Sequence, residues 1–147
     1  GMDNMRVGKA LGLGTIASWN GEKTRHVDKR DSTLCVITED GKLRAQIKTV
    51  YYGWTTDRAK ATLTSLISLD AGSRASHIEL KLDDPAIQLA TGIIKDKTAE
   101  YISPVTIDGD WTYIATFGRQ SLNNDNQRSG RVCEKRTKLE KINNRIV

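Results

Sequence analysis

Two short runs place side chains together that can move protons and grip anions. His77, Glu79 and Lys81 alternate in one run, and Arg44, Gln46 and Lys48 alternate in the other. An imidazole exchanges protons near neutral pH, so His77 with Glu79 nearby is a candidate base and acid for a sugar carbon or hydroxyl, as lyase, dehydratase or mutarotase chemistry requires. Arg44, Lys48 and Lys81 are suited to carboxylates, and Gln46 supplies both a donor and an acceptor. Trp54, beside Gly53 at a strand end, and Trp111, after a turn, are candidates for stacking on a sugar ring, although indoles fill cores equally well. A charged sheet face is also what an antiparallel sheet shows to water when it binds nothing.

These residues are positioned by a central stretch, Lys42 to Leu82. Leu43, Ala45, Ile47, Thr49 and Tyr51 point one way while Arg44, Gln46, Lys48 and Val50 point the other, the period of two of a half-buried strand. Ala61 to Leu69 leads through Asp70-Ala71-Gly72-Ser73 into Ser76 to Leu82. There Ile78, Leu80 and Leu82 face a core, which turns His77, Glu79 and Lys81 away from it. The pattern predicts an antiparallel meander, entered from a strand at Leu34 to Ile37 through a type I′ turn at Asp40-Gly41. Further strands are expected over Val7 to Trp19, around His26-Val27, over Ile87 to Ile94, over Glu100 to Val105 with an end near Pro104, and over Trp111 to Phe117. The fold class is therefore all-β, an antiparallel β-sandwich of eight to ten strands over residues 1–126. Residues 127–147 read as a basic tail, frayed or helical.

Composition bounds the rest. The chain has 147 residues, 37% of them hydrophobic, enough for one domain with a thin core. The net charge of +5 is scattered and gathers only between Arg128 and Arg145, so a nucleic-acid partner ranks third, behind an acidic glycan and a purely structural role. His26 and His77 do not stand at ligand spacing, and Cys35 and Cys133 are too few for a metal site or a disulfide framework, so no metal or cofactor is expected. Cys35, inside an apolar run, reads as a small core residue. Gly12-Leu13-Gly14 lacks the helix and the acidic residue of a nucleotide-binding turn. No apolar run approaches a membrane span, no signal peptide is visible, and the Gly1-Met2 opening has the look of an expression scar.

The segments Gly1 to Gly12, Tyr52-Gly53-Trp54, Ile67 to Ser73 and Leu89 to Lys95 carry a family resemblance. From Gly1 to about Asn126 the chain resembles a bacterial family of uncharacterised domains, common in Bacteroidetes and found beside enzymes that break down pectin-like and other acidic polysaccharides. That family is similar to the galactose mutarotase-like β-supersandwich. The resemblance implies a carbohydrate-associated domain, periplasmic or secreted, that binds or processes uronate-containing oligosaccharides. Family members look longer, and after Asn126 this chain departs from their pattern. The resemblance therefore also implies a reading as a structural or interaction module, a truncated remnant whose exposed sheet edges favour homo-oligomers.

Overall fold

The computed structural model describes residues 11–94, 97–107, 111–119, 127–134, 141–142 and 145–146. The fold is all-β, with antiparallel sheets of the sandwich-like class, and no helix among the described residues is long and apolar enough to cross a membrane. The chain divides into two units, one of Ala17–Leu89 and the other of Gly1–Ile16 with Ala90–Val147.

The first unit holds the meander. Strands β3 (Ser32–Asp40), β4 (Arg44–Thr55), β5 (Lys60–Asp70) and β6 (Ser76–Leu82) lie side by side in chain order, each antiparallel to the next. The expected alternation is what the register shows: Ile37 faces Ile47, Ile47 faces Ile67 and Ile67 faces Ile78, so four isoleucines form one cross-strand row. The turn from β5 to β6 is closed by the Ser73 amide donating to the Asp70 carbonyl, as the loop chemistry predicts. The turn before β4 differs from the expectation. Gly41 N donates to Arg44 O at 2.9 Å, so the reversal falls on Lys42 and Leu43, two residues later than Asp40-Gly41 suggests, and Gly41 has no positive φ. A smaller sheet sets β1 (Ala17–Trp19) between β2 (Thr24–His26) and β7 (Gln88–Ala90).

Burial in the four-stranded sheet is uneven along the strands. Leu63, Trp54, Ala61 and Val50 are buried, whereas Ile37, at 70% exposure, Leu43, Ile47, Ile67 and Leu69 are open. All nine residues of β3 are exposed. The expectation that Cys35 is a core residue is thereby corrected: it lies on an edge strand, and its thiol accepts from Thr49 Oγ1 at the surface.

In the second unit, β8 (Glu100–Ile107), β9 (Trp111–Gly118) and β10 (Gln127–Glu134) form a three-stranded sheet around β9. Pro104 does not end β8. A bulge between Ile102 and Val105 absorbs it, because a bulge leaves one residue outside the ladder and so tolerates a missing N–H. The core here is Ile93 and Ile114 with Tyr101 packed against them. Desolvation raises the phenol pKa of Tyr101 above its ordinary value. Residues 127–134 pair with β9 along their whole length, and β11 (Lys141–Ile142) pairs with β12 (Arg145–Ile146). Strand pairing thus replaces the frayed or helical tail in these residues. The expected first strand is seen only as Ala17–Trp19, its part before Leu11 lying outside the described residues, and the Ile87 to Ile94 strand shrinks to Gln88–Ala90.

Candidate functional site

Strand alternation fixes the site before any contact does. On β4, Arg44, Gln46 and Lys48 stand opposite Asp70, Ser68 and Leu66 of β5. Ser68 and Leu66 stand in turn opposite His77 and Glu79 of β6, with Lys81 opposite Thr64. Directly opposed residues share a face, so all six predicted polar residues emerge on one side of the sheet. The two groups are separated by β5, about 10 Å across two interstrand steps. A ligand touching both must therefore lie across β5, over Leu66 and Ser68.

The electrostatics differ along that face. Arg44 is partly committed: Nη2 donates to Ser68 Oγ at 2.9 Å, and Nε lies 3.7 Å from Asp70 Oδ1 and 4.0 Å from Glu39 Oε2. Among the described residues Lys48 and Lys81 have no ion-pair partner. His77 Nε2 lies 3.6 Å from Glu79 Oε1, a separation that a small rotation closes to a hydrogen bond. Ser68, buried beneath Arg44, orients the guanidinium, and sequence reading missed it because it sits in a run that looks wholly structural.

The role expected of Trp54 is corrected. Tyr51 pairs with Leu63 but Trp54 pairs with Ala61, so three steps on β4 match two on β5. Gly53, at φ 62, supplies the extra residue. This bulge reverses the phase of the alternation, so Trp54 turns to the same side as Leu63 and is 0% exposed. Its ring offers nothing to an external sugar. The side chain of Trp111 lies outside the described residues.

A second polar cluster escaped the sequence reading. Asp57, in the turn between β4 and β5, accepts from Asn20 Nδ2 at 2.7 Å and from Arg25 Nε at 3.1 Å. A pocket of about 170 Å³ beside it is lined by Arg25, Asp28, Lys29, Thr55, Thr56 and Asp57. Asp57 lies more than thirty positions along the chain from each of its partners, Asn20 and Arg25, and the one local signal was the Asn20-Gly21 turn. Pockets that enclose organic ligands run from roughly 300 Å³ upward, so this one suits water or a small anion better than a sugar ring. The Arg25 hydrogen bond, followed by that from Asn20, holds the Asp57 carboxyl below its ordinary value of 3.8. A lowered carboxyl contributes stability above its ordinary value and loses it as pH falls through the lower folded value. Asp57→Asn is therefore expected to lower the urea midpoint slightly at neutral pH and to leave it unchanged in strong acid. The measurement is the midpoint followed against pH, and an equal loss at every pH would discard this assignment.

Among the described residues no group of three or more His, Cys, Asp or Glu side chains is placed to hold a metal ion. No curated protein and no solved structure matches the chain. A family model does match, over residues 1–144, and on that match the chain belongs to the family described as a domain of unknown function, DUF4861.

Proposed function

We propose that the polar face of β4, β5 and β6 binds acidic, uronate-containing oligosaccharides. The observation that carries the reading is the pair of exposed ammonium groups of Lys48 and Lys81, without ion-pair partners among the described residues, on the same face as Arg44 and Gln46. A sugar acid laid across β5 meets a carboxylate-binding cation on each flank, with Leu66 beneath its ring. His77 and Glu79 then lie at one end of the bound chain, where a sugar lyase, dehydratase or mutarotase would draw its base and acid. Both are exposed, so binding is the primary reading and turnover the secondary one. The apolar residues left open on the opposite side of the sheet favour a second reading, an interaction module that associates through this sheet.

Titration with oligogalacturonates and with neutral oligosaccharides of the same length tests the first reading. Affinity for the acidic ligand is expected to fall roughly fivefold for each of Lys48→Ala and Lys81→Ala, the ~1 kcal/mol of an exposed ion pair, and to weaken with salt. Equal affinity for acidic and neutral ligands, or an unchanged double variant, would remove this function. His77→Ala is expected to leave binding nearly intact and to abolish any turnover; unchanged turnover would end the catalytic role of His77.

A further inference from the structure

One edge of the four-stranded sheet is a long strand whose protection, a bulge and the charges of Glu39 and Asp40, is confined to its C-terminal end. β3 has no sheet neighbour other than β4 among the described residues, and all nine of its residues are exposed. Native edges are commonly blunted by lysine, by proline or by being very short. Ser32 to Asp40 contains neither residue, and its one irregularity lies at Thr38, between Ile37 and Glu39.

The main-chain hydrogen bonds show which β3 groups are free. The Arg44 carbonyl accepts from the Gly41 amide and the Gln46 carbonyl accepts from the Thr38 hydroxyl, both on the β3 side. The Leu43 carbonyl accepts from the Ala71 amide on the β5 side. Successive residues of a strand direct N–H and C=O to opposite sides, so the even-numbered residues of this part of β4 face β3. Their partners Ser32, Leu34 and Val36, opposite Tyr52, Val50 and Lys48, bond inward. The N–H and C=O groups of Thr33, Cys35 and Ile37 therefore point out of the sheet.

We propose that two copies of this chain join edge to edge through β3, antiparallel, on a two-fold axis at Cys35. The uncharged run Ser32 to Thr38 is centred on Cys35 and bounded by Asp31 and Glu39. Only this register pairs the three outward residues among themselves: Cys35 with the partner's Cys35, and Thr33 with the partner's Ile37 in both directions. Each such pair exchanges two N–H···O bonds. Centring on Leu34 or Val36 instead sets Ile37 against the partner's Asp31, or Thr33 against the partner's Glu39. The Cys35 register also lays Leu34 beside the partner's Val36, side chains that are both exposed in one copy, and such cross-strand apolar pairs stabilise a ladder. The two Cys35 Cα atoms then stand about 5.5 Å apart.

Sedimentation equilibrium of the full chain, with thiol cross-linking in a Cys133→Ser background, tests the interface. The expected mass is twice 16.3 kDa, and a short bismaleimide yields a covalent dimer that Cys35→Ser abolishes. Cys35→Pro removes an outward N–H without touching the β4 ladder, and Val36→Lys sets a charge against the partner's Leu34. Both are expected to shift the mass to one chain while circular dichroism stays that of a β protein. A single-chain mass at every concentration, or a dimer that survives both substitutions, would overturn the proposal; the second result would move the contact to the Ile37, Ile47 and Ile67 face. If Cys35→Pro fails to fold, Val36→Lys and the cross-link decide.

Discussion

Trp54→Ala is expected to lower the stability of this protein by about 3–5 kcal/mol, the range for deleting a large aromatic ring from a core. Trp54 is fully buried and shares its face with Leu63 and Ala61, also buried, so no solvent stands ready to fill the space the indole leaves. A domain of this size has about 5–15 kcal/mol in total, so the loss is at least about a fifth of that and, at the lower end of the range, more than half. Urea denaturation measures it. Trp54→Phe is expected to cost markedly less, because it keeps a ring and removes an indole N–H that has no hydrogen-bond partner among the described residues. A cost below about 1 kcal/mol for the alanine variant would return Trp54 to the surface, and with it the ring-stacking role.

Gly118→Ala is expected to cost about 2–4 kcal/mol, combining backbone strain with overpacking. Gly118 ends β9 at φ 158, and a Cβ there would come within 2.8 Å of both the Thr98 carbonyl oxygen and the Ala99 Cα. Those are main-chain atoms, which cannot swing aside as a lysine tip can. The contrast is Gly72, at φ 78 with open space around it, where alanine incurs only the conformational cost of about 1 kcal/mol. Comparing the two denaturation midpoints separates crowding from dihedral strain. Equal costs would show that the approach to Thr98 and Ala99 is not a constraint.

The meander and the face of each polar residue were legible in the sequence, because a strand's period of two is a local property of the chain. Leu43 to Tyr51 and Ser76 to Leu82 declare it residue by residue, and the register of β4, β5 and β6 sets Arg44, Gln46, Lys48, His77, Glu79 and Lys81 on one side as that period requires. What lay beyond local pattern was decided by tertiary structure. The bulge at Gly53 adds one residue and turns Trp54 inward, and a dipeptide does not say whether its glycine will be used to bulge a strand or to turn it. Strand order made β3 an edge, which exposes Cys35, Leu34, Val36 and Ile37 although their run reads as core. Residues 127–134 read as a charged tail until β9 offers them a ladder of main-chain partners, for which side-chain pattern matters less than an open edge. Asp57 meets Asn20 and Arg25 only because the sheets bring distant turns together, and loop closure over such separations leaves no periodic trace in the sequence.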